Sequence, residues 1–126
     1  MHFHDYHLSK YEVSDYGETV TFHLVFDYPG LARDVSCISF TGVTLYHFIH
    51  VSATIILDIE EISVSNLLKE WGNEITEWNR MYGVGLWKDN LQNYSLKLQS
   101  EDYKAWRIVS SIGFYGFVIA KEVVNT

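Results

Sequence analysis

Ser63-Val64-Ser65-Asn66-Leu67-Leu68-Lys69-Glu70-Trp71-Gly72-Asn73-Glu74-Ile75-Thr76-Glu77-Trp78-Asn79-Arg80-Met81-Tyr82-Gly83 is where the chain changes texture. Val64, Leu68, Trp71, Ile75, Trp78 and Tyr82 recur at steps of four, three, four, three and four, which draws one apolar stripe down a helix of about five turns. The spacing predicts a helix over 64–82. Ser63 and Ser65 are both suitable N-caps, and Gly83 stands where a left-handed C-cap is expected. Gly72 weakens the helix by about 1 kcal/mol relative to Ala, so a break is expected there if anywhere. The two tryptophans are the natural anchors of this helix on a sheet.

Upstream the chain reads as strands. Val20, Phe22, Leu24 and Phe26 alternate with Thr21, His23 and Val25. Residues 6–14 are placed to pair with them through Asp15-Tyr16-Gly17-Glu18, a hairpin turn with glycine supplying a positive φ. Tyr28-Pro29-Gly30-Leu31 carries Pro and Gly at the central positions of a type II turn. Further strands are expected over 35–41, 44–50 and 53–60. The last begins apolar on both faces and then alternates, as a strand buried at one end and wet at the other does. Downstream, Leu96 and Leu98 predict a short strand from Tyr94. Residues 103–112 and 114–123 predict a final hairpin closed by Gly113, and Gly116 predicts a bulge or a close backbone approach. The expected fold is α+β: a curled antiparallel sheet or two-sheet sandwich of about eight strands, with one amphipathic helix packed on one face, forming a single domain over 1–126.

Composition bounds the function. The chain has 126 residues, 48% hydrophobic and 16% aromatic, with one proline and one cysteine. Enough apolar surface exists to offset the cost of ordering the chain, so disorder is excluded, and a lone Cys37 excludes an internal disulfide. The start, Met1-His2-Phe3-His4-Asp5-Tyr6-His7, lacks the basic and apolar regions of a secretory signal. No apolar run approaches the about 20 residues of a membrane span. A cytoplasmic location is expected, without membrane association. The net charge of −7 is unevenly spread: residues 1–63 hold nine acids and two bases, and residues 64–126 hold seven of each. With no clustered basic patch, tracking of a nucleic-acid backbone is not expected.

Chemistry-bearing motifs are sparse. His2 and His4 share a face of an extended segment, but such terminal spacing is read as exposed histidine, and one cysteine cannot furnish a structural zinc shell. Asp58, Glu60 and Glu61 are the densest acids, with Asp58 and Glu60 on one strand face and Glu61 on the other. His47 and His50, on the preceding strand, are within reach of them. Acid–base work would need environments that drive two of their pKa values apart, and nothing in the sequence provides that. Cys37 has no adjacent base and reads as a packing thiol. Gly83-Val84-Gly85 lacks the strand, lysine and hydroxyl of a phosphate loop. No catalytic residue, metal ligand or cofactor is assigned. Surface recognition remains. Tyr11, Glu12, Asp15, Tyr16, Glu18, Asp58, Glu60 and Glu61 are the candidate partner-binding residues, because tyrosine brings contact area at low entropic cost and the acids complement a basic partner.

Three segments together carry a family likeness: His4-Asp5-Tyr6-His7-Leu8; Ile38-Ser39-Phe40-Thr41-Gly42-Val43 with Ile55-Ile56-Leu57-Asp58-Ile59-Glu60-Glu61; and 110–121, Ser-Ser-Ile-Gly-Phe-Tyr-Gly-Phe-Val-Ile-Ala-Lys. This layout is similar to small uncharacterised bacterial cytosolic proteins. It also resembles some immunity proteins of polymorphic-toxin and contact-dependent inhibition systems. The resemblance implies a stoichiometric inhibitor that binds a toxin domain and catalyses nothing, and it assigns no residue a role. The alternative expectation is an accessory or assembly domain pairing as a homodimer through an exposed sheet edge. A small hydrolase or ligand-binding barrel ranks below both.

Overall fold

The computed structural model describes residues 1–82, 85–87 and 89–126, apart from the side chains of Ser52, Ala53 and Leu57. Along these the elements run β1 (His2–Ser14), a 3-10 turn (Asp15–Gly17), β2 (Thr19–Phe26), β3 (Asp34–Thr41) and β4 (Leu45–Ile62). They continue as α1 (Val64–Tyr82), α2 (Leu91–Ser100), β5 (Lys104–Ala120) and β6 (Glu122–Asn125). The α+β class and the antiparallel pairing agree with the sequence. The strands lie in the order β5-β4-β1-β2-β3-β6. Only Lys121 separates β5 from β6, so the two ends of that order are consecutive pieces of chain. The expected curled sheet or sandwich is therefore corrected to a closed barrel. Splitting β4 and β5 at their register shifts gives eight strand segments.

The β1–β2 hairpin forms where Gly17 predicted it, with Ser14 opposite Thr19. In the 28–31 turn the Leu31 N–H donates to the Tyr28 carbonyl at 3.1 Å, and Gly30 has φ +80°, as a type II turn requires. Three expectations fail. The strands predicted over 44–50 and 53–60 are one strand, β4, whose register with β5 shifts between His50 and Ile55. The hairpin predicted at Gly113 is also absent. Gly113 takes φ +83° inside a continuous β5, where glycine absorbs an irregularity instead of reversing the chain. The strand predicted around Leu96 and Leu98 is the helix α2. There the Asn90 side chain accepts from the Asn93 N–H at 2.8 Å, and Leu91, Tyr94 and Leu98 turn one face toward α1.

Two apolar clusters explain why β5 shows no clean alternation. One fills the barrel, with Val20, Phe22 and Leu24 of β2, Ile38 and Phe40 of β3, Ile56 and Ile59 of β4, and Trp106, Ile108, Phe114 and Val118 of β5. The other lies between the barrel's outer face and the helices: Leu67, Leu68, Trp71 and Ile75 of α1, Tyr94 and Leu98 of α2, and Ala105, Phe117 and Ile119 of β5. Strand β5 thus buries both faces.

Helix α1 has the predicted bounds. The Ser63 hydroxyl accepts from the Asn66 N–H at 3.1 Å, and the expected C-cap, Gly83, lies outside the described residues. Gly72 does not break the helix. It is buried, and a β-carbon there would lie 2.9 Å from the Leu91 side chain, so the small residue lets α2 pack close. Gly116 meets the sequence expectation of a close approach: a β-carbon would run into the His47 carbonyl and come within 2.8 Å of the Phe48 ring. Among the described residues, no helix is long and apolar enough to cross a membrane.

Candidate interaction surface

The acids of the first half do not form one patch. Strand β1 pairs its first residue, His2, with Asp58, and delivers Asp15 and Glu18 to the turn beyond its last. A 13-residue strand is about 40 Å long, so the candidate residues fall into two groups at opposite ends of β1.

At the β4 end the charges are largely matched. Asp58 lies 3.5 Å from the amino group of Met1 and 3.3 Å from His2 Nδ1, and accepts the Ile59 N–H at 2.9 Å. Arg107 donates to Glu60 at 3.0 Å and to Glu70 of α1 at 2.9 Å, while the Tyr115 hydroxyl donates to Glu70 at 2.6 Å. That hydrogen bond, with burial second, raises the Tyr115 pKa. Glu61 is exposed. The imidazole–carboxylate pairing expected of His47 with these acids is not formed. His47 lies against the indoles of Trp78 and Trp71, at ring separations of 4.5 and 5.6 Å, and Glu74 is the carboxylate that acts on it. Burial lowers the His47 pKa and Glu74 opposes the shift. His50 packs its ring on Tyr11 and Phe114.

The hairpin end differs. Glu12 is compensated: it lies 2.6 Å from His23 Nε2 and 3.7 Å from Lys10, and the His23 contact first, then Lys10, lowers its pKa. Tyr11 is absorbed into packing against Phe22, Phe48 and Phe114 and is 36% exposed. Beyond them Asp15 accepts only the Thr19 hydroxyl, at 2.8 Å, and neither Asp15 nor Glu18 has a cationic partner among the described residues. Tyr16 stands between them. It is 109% exposed, and its backbone is left-handed at φ +58°, next to Asp15 at φ +53°. Aspartate tolerates that region, whereas a tyrosine there costs about 1–2 kcal/mol. The turn is nevertheless held, because the Val43 N–H donates to the Glu18 carbonyl at 2.9 Å and the Glu18 N–H to the Asp15 carbonyl at 3.1 Å. The arrangement presents a fully exposed aromatic ring on a hydrogen-bonded turn, flanked by two carboxylates that have no cationic partner among the described residues.

His4 lies 3.6 Å from Asp5, His7 contacts the Tyr28 hydroxyl at 3.1 Å, and Cys37 is half-buried in β3. The Asp34 carboxylate accepts the Tyr6 hydroxyl, and this raises the Tyr6 pKa. Sequence reading missed the groove between α1 and α2, because residues 94–98 resembled a strand. The Asn90/Asn93 cap and the 91/94/98 spacing were the signals that would have found it. Comparison with models of known protein families finds no match, and comparison with curated proteins finds none either.

Proposed function

We propose that this protein is a non-catalytic, protein-binding inhibitor of the immunity type, which neutralises a basic bacterial toxin domain by engaging it with the β1–β2 hairpin end. The observation that carries this reading is Tyr16, fully exposed in a left-handed conformation between Asp15 and Glu18, which have no cationic partner among the described residues. Backbone strain held in place by surrounding hydrogen bonds clusters at functional positions, and an exposed tyrosine is a favoured interface anchor. The two carboxylates supply the attraction that steers a basic cleft toward it. Tyr11 and Glu12 support the hairpin from behind. Asp58, Glu60 and Glu61, at the other end of β1, form a separate group outside this contact.

The test is growth protection when this chain is co-expressed with the product of the adjacent gene. The parent chain is expected to protect, and Tyr16→Ala and Asp15→Asn/Glu18→Lys to lose protection while folding normally. A parent that fails to protect, or variants that protect fully, would reject the assignment.

A further inference from the structure

Helices α1 and α2 run antiparallel and enclose a groove of about 570 Å³ lined by Ser65, Leu68, Lys69, Leu91, Leu96 and Gln99, among others. The volume lies within the range of small-molecule sites. The groove follows α2 from Leu91 to Gln99, about 12 Å at the helical rise. Leu96 is 58% exposed on its wall, so an apolar surface faces solvent there. The polar side chains of the wall are partly spent on each other, with Gln99 donating to Ser95 at 3.0 Å.

Charge selects the occupant. In a chain of net charge −7 the lining holds, among the described residues, no carboxylate and one charged residue, Lys69. Among the described residues Lys69, like Lys97, Lys104 and Lys121, lies against no carboxylate, whereas Lys10, Arg33, Arg80 and Arg107 each do. The neighbouring acid on α1, Glu70, is committed to Arg107 and Tyr115. An unpaired ammonium on the rim of a short apolar groove complements a ligand with one anionic head and one unbranched apolar tail.

We propose that the α1/α2 groove is a binding site for a medium-chain fatty acid, its carboxylate on Lys69 and its chain along Leu68, Leu91 and Leu96. This site is independent of the hairpin end and does not rest on the inhibitor reading. It is tested by titrating decanoate, decanol and decyltrimethylammonium, each below its micelle concentration, into the whole protein by calorimetry and amide-resolved NMR. Decanoate is expected to bind one to one, at least about fivefold more tightly than decanol, with the cationic amphiphile weakest. Lys69→Glu is expected to abolish the preference for decanoate over decanol. Leu96→Glu, a change at an exposed position that leaves the fold intact, is expected to abolish binding of both. Equal binding of decanoate and decanol, a preference that survives Lys69→Glu, or no saturable binding overturns the proposal. So does a dimer in sedimentation that Leu96→Glu dissociates, which would give the groove to a second copy of the chain.

Discussion

Replacing Tyr16 by asparagine should stabilise this protein, which is unusual for the loss of a large aromatic residue. The ring is 109% exposed, so its removal forfeits no burial. The backbone at φ +58° penalises tyrosine by about 1–2 kcal/mol, while asparagine adopts the same region at little cost. The expected gain is about 1 kcal/mol. For a chain of this length that corresponds to a rise of about 3–5 °C in the melting temperature. Urea denaturation should show a higher midpoint at an unchanged slope, because the surface exposed on unfolding hardly changes. The same variant should lose binding to its partner, which separates stability from function at one residue. A variant less stable than the parent would mean that the tyrosine ring makes contacts in the folded state, and the reasoning about the turn would be refuted.

Trp71→Ala should cost about 3–5 kcal/mol in chemical denaturation, since the indole is buried against Phe117 and Tyr115, while the half-buried Trp78 should cost less; equal effects would contradict the packing described. Gly116→Ala should destabilise by about 1–3 kcal/mol, because a β-carbon collides with the His47 carbonyl; a neutral substitution would show that β4 and β5 separate easily there. Burial holds the folded pKa of His47 below its unfolded value of about 6.5, so the unfolded chain takes up the proton first as pH falls. The contribution of the neutral imidazole is complete above that unfolded value and is lost as pH drops through the lower folded one. The urea midpoint of the parent should therefore fall more steeply with acidification than that of His47→Gln, and parallel profiles would contradict the burial of this ring.

What was legible in the sequence followed from elements with one wet face. Helix α1 announced itself because Val64, Leu68, Trp71 and Ile75 lie on a single buried stripe, and β2 did so through Val20, Phe22 and Leu24. Strand β5 was cut in two because Trp106 and Ile108 face the barrel while Ala105 and Phe117 face the helices, which removes the alternation that marks a half-buried strand. With no alternation to read across it, Gly113 looks like a turn in the sequence. Helix α2 is hidden in the sequence because it is short and because Leu96, exposed on the groove wall, imitates a strand partner of Leu98. The acidic half was visible as a total, but which acids stay uncompensated depends on partners remote in sequence, such as Arg107 for Glu60 and His23 for Glu12. The left-handed backbone of Tyr16 could not be read locally, since tyrosine disfavours that conformation.

Association kinetics with the purified toxin-domain candidate, measured from low salt to about 0.5 M, test the central claim most directly. Asp15→Asn/Glu18→Lys is the informative variant, because asparagine preserves the left-handed turn at position 15 while the local charge reverses. The account predicts that the parent binds fast at low salt and slows steeply as salt rises. The variant should begin slower and respond weakly to salt, with a nearly unchanged melting temperature, and Tyr16→Ala should act mainly by speeding dissociation. Identical association rates and identical salt dependence for parent and charge variant would contradict the claim that the hairpin end is the surface that meets the partner.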